Sequence, residues 1–225
     1  MTENDRANRL SEQAYRQIKR MIITLELPPG SFVNEKELID RLDLGRTPIR
    51  EALLRLSLEQ LVTIIPRRGI AVSTSALSDL QHLYELRLSI ETLAIRLASR
   101  RGTSKHWREM EDALNQVRPE SSQNDNETMI AVDEQCHQII YRACGNPFLK
   151  NTASTLYAAS LRLWYYCISE IGAMRQAVME HEQMLQALRA GDEDQAASLM
   201  ENHIRTFHQE IQRAIGTAEL PQDVT

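Results

Sequence analysis

The sequence predicts a mainly α-helical protein of two domains, with one short β-hairpin roughly a third of the way along the chain. Three observations carry that expectation. Apolar residues recur at helical spacing through most of the 225 residues. The β-branched runs sit together, at Val62 to Ile65 and Ile70 to Ser73. Breaks containing Gly or Pro divide the remainder into segments of helix length, and a chain of this size holds two modest cores more readily than one large one.

Taken in order, Thr2 to Leu10 is polar and reads as a frayed tail. Ser11 to Leu25 places Ala14, Ile18, Met21, Ile22 and Leu25 at helical spacing, and Pro28, Pro29 and Gly30 stop that helix. Asn34 to Leu42 reads as a second helix, with Asn34 as cap and Glu37 at the third helical position, and it ends in a tight turn through Asp43 to Gly45. Gly45 to Val62 reads as a third helix. Thr47 can cap it and Pro48 suits its first position. Ile49, Leu53, Leu56 and Leu61 fall near one face with Leu54 and Leu58 beside them, while Arg46, Arg50 and Arg55 occupy the other. Pro66, Arg67, Arg68 and Gly69 join the two β-runs.

Helix, turn, helix and a basic hairpin make a winged helix-turn-helix. A third helix entering a major groove by its N-terminal end would put Arg46, Thr47 and Arg50 at base edges and phosphates. The ordinary alternative is a solvated arginine face on a core helix, and the neighbouring helix and hairpin weigh against it.

The Ser/Thr-rich segment after the wing is a candidate linker, so the expected divisions are residues 1–74, a linker at 75–78, and 79–225. Beyond the wing no strand pattern occurs. Helices are expected at Leu77 to Arg101, from Ser104 to about Val117, then at Thr128 to Cys144, Pro147 to Ser169, Met174 to Ala190 and Glu193 to Ile215. The first carries leucines around much of its circumference and is expected to be buried on more than one side. Together they form an antiparallel all-α bundle of about six helices.

The formal net charge of −5 argues at first against a nucleic-acid binder, but the charge is unevenly distributed. Residues 1–74 hold 12 Lys and Arg against 10 Asp and Glu, whereas the rest hold 14 against 21. The front third is the basic part, as expected where one domain meets phosphate and the other does not. No uninterrupted apolar stretch approaches a membrane span and the N-terminus is polar, so a cytoplasmic protein is expected. Cys136, Cys144 and Cys167 lack a CxxC spacing and read as reduced, core-filling thiols.

One set of residues in the bundle has the spacing of a metal site. Asp133 and His137 are four apart on one helix, about 40° around it, so both point the same way. His181 stands ten residues before Gly191 and His203 eleven after Asp192. If the flanking helices form an antiparallel hairpin, both histidines lie roughly 15 to 16 Å from the turn and face each other. Three imidazoles and a carboxylate suit Zn²⁺, Ni²⁺, Mn²⁺ or a related divalent ion. Against this, a lone histidine is more often a surface or hydrogen-bonded core residue. His82, His106 and His208 show no such pairing.

The run ELxxxLxxxRTPIREALxxLxxxxLV, followed by a wing glycine, resembles the DNA-binding domain of GntR-type bacterial transcription regulators. The resemblance implies DNA contacts from Lys36, Arg46, Thr47, Arg50, Arg68 and Gly69. Lys36 stands where some relatives carry Arg, and its ammonium offers a point charge in place of a bidentate fork. Downstream, ELRLSIE at Glu85 to Glu91, DEQCHQIIYRACGNPFL at Asp133 to Leu149 and EHEQMLQALRAGDEDQAASLMENHI at Glu180 to Ile204 resemble the FadR C-terminal domain, FCD. In metal-containing members of that family the ligands fall on Asp133, His137, His181 and His203. The resemblance further implies that Arg87 approaches the carboxylate of an effector. An intrahelical ion pair with Glu91 is the competing role for Arg87.

These observations lead to a homodimeric transcription regulator, expected to be a repressor, that binds a palindromic operator in double-stranded DNA and senses a small organic or sugar acid at a divalent metal site. Two alternatives use the same cluster: a metal-dependent hydrolase or isomerase, and a regulator whose metal is purely structural or is itself the signal. The enzyme would need a general base that the cluster lacks, and it leaves the arginine helix and wing unexplained.

Overall fold

In a computed structural model the described residues are 3–74, 80–117, 126–167 and 175–217. Packing divides the chain into two compact units, residues 1–79 with 158–166, and residues 80–157 with 167–225. The linker expected at 75–78 lies outside the described residues.

In the first unit, α1 (Glu3–Ile23), α2 (Glu35–Leu42) and α3 (Arg46–Leu58) are followed by strands β1 (Val62–Ile65) and β2 (Gly69–Val72). The expected frayed tail is instead the first two turns of α1. No Gly or Pro interrupts the chain before Pro28, and Leu10 packs against the core that Ala14, Ile18 and Ile22 share with Leu38, Ile49, Leu53 and Leu56. The Asn34 side chain accepts from the backbone N–H groups of Lys36 and Glu37, at 3.1 and 3.3 Å. Asp43 closes α2 in the left-handed region at φ 51°, a conformation that Asp tolerates better than most residues.

Two expectations for α3 are corrected. Gly45 is its N-cap, so Thr47 and Pro48 are the second and third helical residues and the Thr47 hydroxyl does not cap. Leu54 and Leu58 are exposed rather than packed, because at 100° per residue they lie about 140° and about 180° around α3 from Ile49, across the helix from the buried Ile49, Ala52, Leu53 and Leu56. Arg55 is likewise absorbed by structure. Its guanidinium lies 3.6 Å from the Tyr15 ring centroid and donates to Glu12 at 2.7 Å, which removes it from the arginine face left to Arg46 and Arg50.

The strands pair antiparallel, Val62 with Val72 and Ile65 with Gly69. Arg68 N–H closes the turn onto Ile65 at 3.1 Å, with Arg67 at φ 65° after Pro66, a turn geometry to which Pro at its second position is suited. The other edge of β2 receives residues 30–33: Gly30 and Val33 donate to Val72 and Ile70, and Phe32 bridges Ala71. Period-two patterning gave no sign of this third segment, since it supplies backbone rather than an alternating face.

The second unit contains α4 (Leu80–Arg101), α5 (Ser104–Leu114), α6 (Asn126–Ala143), α8 (Arg175–Ala190), α9 (Glu193–Thr217) and the first half of α7 (Pro147–Cys167). Here α4 packs along α9 and α6, while α8 packs on α9, α5 and α6. Gly191, at φ 71°, and Asp192 send N–H groups back to Leu188 and Ala187, and Asp192 then accepts from Gln195 N–H, so α8 and α9 form a closed hairpin. Cys136 and Cys144 are buried, as core-filling side chains are, and the Cys167 side chain lies outside the described residues. Helix α4 packs against more than one neighbour, α9 and α6 among them, but Leu86 and Leu93 are 46 and 47% exposed, and its buried positions include the charged Arg87 and Glu91.

Candidate functional site

The residues singled out in the front unit are all exposed: Lys36 in the first turn of α2, Arg46, Thr47 and Arg50 in the first turns of α3, Arg68 in the wing turn and Gly69 at the start of β2. Gly69 sits at φ 109°, where a side chain would be strained. Arg50 is not idle, since its Nε donates to Glu35 Oε2 at 2.9 Å. That partner was not legible from α3 alone, because it comes from the start of α2.

In the second unit the structure brings the four other candidates together. Asp133 and His137 come one turn apart from α6, His181 from α8 and His203 from α9. All four are buried, and one ligand atom from each lies within 4.8 Å of the others. His137 Nε2 and His203 Nε2 face each other at 3.2 Å, and Asp133 Oδ1 lies 3.4 Å from His181 Nδ1 and 3.6 Å from His203 Nε2.

The surrounding groups fix how the rings present themselves. Each imidazole has its Nδ1 beside a protein oxygen: Glu91 Oε2 at 2.8 Å for His137, the Ala177 carbonyl at 2.9 Å for His181, and Glu180 Oε2 at 2.8 Å for His203. For His181 and His203 such hydrogen-bond partners place the ring proton on Nδ1 and leave the Nε2 lone pair available to a metal, and the Glu91 carboxylate beside His137 Nδ1 favours the same form there. Tyr157 donates to Asp133 Oδ2 at 2.5 Å, which leaves Oδ1 as the free carboxylate oxygen. Two buried atoms, Asp133 Oδ1 and His181 Nε2, have no hydrogen-bond partner. Orphans of this kind are costly in a protein interior. A divalent cation satisfies both and relieves the opposed His137 and His203 nitrogens, so the donor set fits a metal.

Electrostatics agree. Asp133 is fully buried, yet His137, His181 and His203 hold its carboxyl below the usual range. Burial, reinforced by His203 and His137, pushes the His181 imidazole down to about 3. For His203, burial is outweighed by Glu180 and Asp133, and its imidazole is held above the ordinary value. Folded His181 thus refuses a proton that an unfolded histidine accepts near 6.5. The unfolded chain binds more protons through that window, so stability falls as the pH drops across it. Metal-free protein is expected to lose denaturant stability toward acid more steeply than its His181→Gln variant, in urea titrations at stepped pH across this window.

Spacing alone missed the supporting groups. Glu180 had a signal, standing beside His181 in sequence, but only the α8–α9 hairpin shows that it serves His203. Glu91 was legible as the partner of Arg87, at 2.5 Å from its Nε, but not as a neighbour of His137. Arg87 itself is buried, 5.5 and 5.2 Å from the Tyr157 and Phe207 ring centroids.

Two known families match the chain, one in each unit. The gntR family of bacterial regulatory proteins matches residues 10–72, and the FCD domain matches residues 82–206, more than half of the chain. The chain is a GntR-family regulator with an FCD domain. Among curated relatives of this FCD regulator, the HTH-type transcriptional repressor RspR of Escherichia coli is 24% identical, over 91% of this chain and 90% of that protein. The Nta operon transcriptional regulator of Aminobacter aminovorans is 29% identical over 85 and 89%. The solved structure of E. coli McbR/YncC superposes with a TM-score of 0.80 at 22% identity, covering 92% of this chain and 98% of that one, which establishes the fold. These families and relatives regulate transcription and are not enzymes. No described helix is long and apolar enough to cross a membrane.

Proposed function

We propose that this FCD regulator is a cytoplasmic homodimer that binds a palindromic operator through Lys36, Arg46, Thr47, Arg50, Arg68 and Gly69. It acts as a repressor, and its affinity for DNA responds to a small organic or sugar acid bound at a divalent metal held by Asp133, His137, His181 and His203. The observation that carries the metal reading is the orphaned pair of buried ligand atoms, Asp133 Oδ1 and His181 Nε2, at the centre of three oriented imidazoles. The donor set suits Zn²⁺, Ni²⁺ or Mn²⁺. When bound, the ion supplies a Lewis-acidic centre with open positions for a carboxylate.

Dimerisation follows from recognition. One helix reads too few base pairs for useful specificity, and two copies reading a two-fold site double the contacts. The exposed Leu86 and Leu93 of α4 are apolar surface that a second copy would cover. Arg87 is the candidate for the effector's carboxylate, and its present partner Glu91 holds the guanidinium until a ligand competes for it. Any effector must favour one conformation of the dimer over another, because equal affinity shifts nothing.

A thermal-shift screen of small carboxylic and sugar acids tests this reading, using Zn²⁺-loaded and metal-free protein and a duplex selected from a random library. At least one acid is expected to stabilise the loaded form alone and to alter its affinity for the duplex. Equal stabilisation of both forms by every active acid would take the metal out of effector sensing.

A further inference from the structure

Four polar groups form a continuous line from α4 into the ligand cluster. Arg87 Nε contacts Glu91 Oε1 at 2.5 Å, the second carboxylate oxygen, Oε2, stands 2.8 Å from His137 Nδ1, and the Tyr141 hydroxyl lies 3.2 Å from the same nitrogen. Arg87, Glu91 and His137 are at most 3% exposed, so no water screens the pair and the interactions act in a low dielectric. Glu91 Oε2 has no hydrogen-bond donor of its own, although His137 Nδ1 is within ion-pair distance. The carboxylate is therefore shared: one oxygen is committed to Arg87 and the other faces the back of a metal-ligand ring.

We infer that Glu91 is a positioning residue that couples the occupancy of Arg87 to metal affinity. While Arg87 draws on the Glu91 charge, that charge polarises the His137 ring only in part. An anion that engages Arg87 offsets the guanidinium's pull on Glu91, so the carboxylate already facing His137 acts on that ring in full, strengthens its Nε2 as a donor and tightens the metal. A carboxylate beside an imidazole's Nδ1 raises the ligand strength of that ring. By reciprocity the metal tightens the anion by the same factor, so the two bind with positive cooperativity although Arg87 itself is no metal ligand. This rests on the metal and effector readings proposed above and assigns the link between them.

The test compares Zn²⁺ affinity, by competition with a chromophoric chelator, in the full-length wild type, Arg87→Met and the double variant Arg87→Met with Glu91→Gln. Circular dichroism reports folding. Arg87→Met withdraws the competing charge and is expected to bind Zn²⁺ several-fold more tightly. The double variant leaves no buried charge unpaired at this pair, so it keeps the inference testable if the single variant fails to fold. It is expected to bind Zn²⁺ about 10- to 100-fold more weakly than wild type. Wild-type affinity in the double variant, or no gain in a folded Arg87→Met, overturns the coupling. A His203→Ala control separates the two levels: if it keeps its Zn²⁺, the metal reading fails, and if it loses Zn²⁺ while the double variant does not change, the Glu91 link alone fails.

Discussion

Replacing His203 with alanine is expected to reduce bound divalent metal from about one ion per chain to near zero under metal-replete purification, measured by elemental analysis beside wild type. The side chain provides one of three imidazoles and is turned by Glu180, whose oxygen lies 2.8 Å from Nδ1. Its loss removes a ligand and leaves Glu180 without that partner, and a site with one ligand fewer binds a divalent ion far more weakly. The winged unit has its own core, built from Ile18, Ile22, Ile49, Leu53 and Leu56, so binding to the selected duplex without effector should persist. Metal retained at the wild-type level in His203→Ala would return the four residues to ordinary core chemistry.

The second large effect belongs to Arg50. On the proposed interface, Arg50→Ala is expected to cost about 1 to 3 kcal/mol of discrimination at the base pair it reads. A titration of the selected duplex against a scrambled one should show that ratio falling while the circular dichroism spectrum and melting temperature hold. Arg50 is exposed and lies outside the packed face of α3, so the variant separates recognition from folding. An unchanged ratio would remove Arg50 from the reading surface.

Long-range placement was legible where the sequence has a strict period. The i and i+4 spacing of Asp133 and His137, and the near-equal distances of His181 and His203 from the Gly191 turn, are properties of helices and of one hairpin. Both survive in the structure because nothing interrupts α6, α8 or α9 between the turn and the ligands. The oxygens that aim the rings were not legible in that way. Glu91 lies on α4, and its nearness to His137 depends on how α4 packs against α6, which no local period encodes. Periodicity also erred where backbone rules decide. A helix needs no apolar face to continue through Glu3 to Leu10 once α1 is nucleated and no breaker intervenes. Thr47 had the chemistry of a cap, but Gly45 occupies that position with an extended backbone. Leu54 and Leu58 mark an error in the reading of the period itself, since they lie across α3 from the packed Ile49, Ala52, Leu53 and Leu56 rather than beside them.

The Glu35 contact to Arg50 gives the proposed recognition helix a built-in competitor. Without DNA the guanidinium is already occupied at 2.9 Å, by a carboxylate anchored at the start of α2. A duplex that offers Arg50 only a phosphate exchanges one anion for another, whereas a correctly placed guanine offers two acceptors in the plane of the fork. Glu35 would then act as a filter on sequence, weakening attachment to arbitrary DNA more than attachment to the cognate site. A regulator with such a filter spends less of its time stored on the bulk of the chromosome, and its copies remain available to find the few sites that matter.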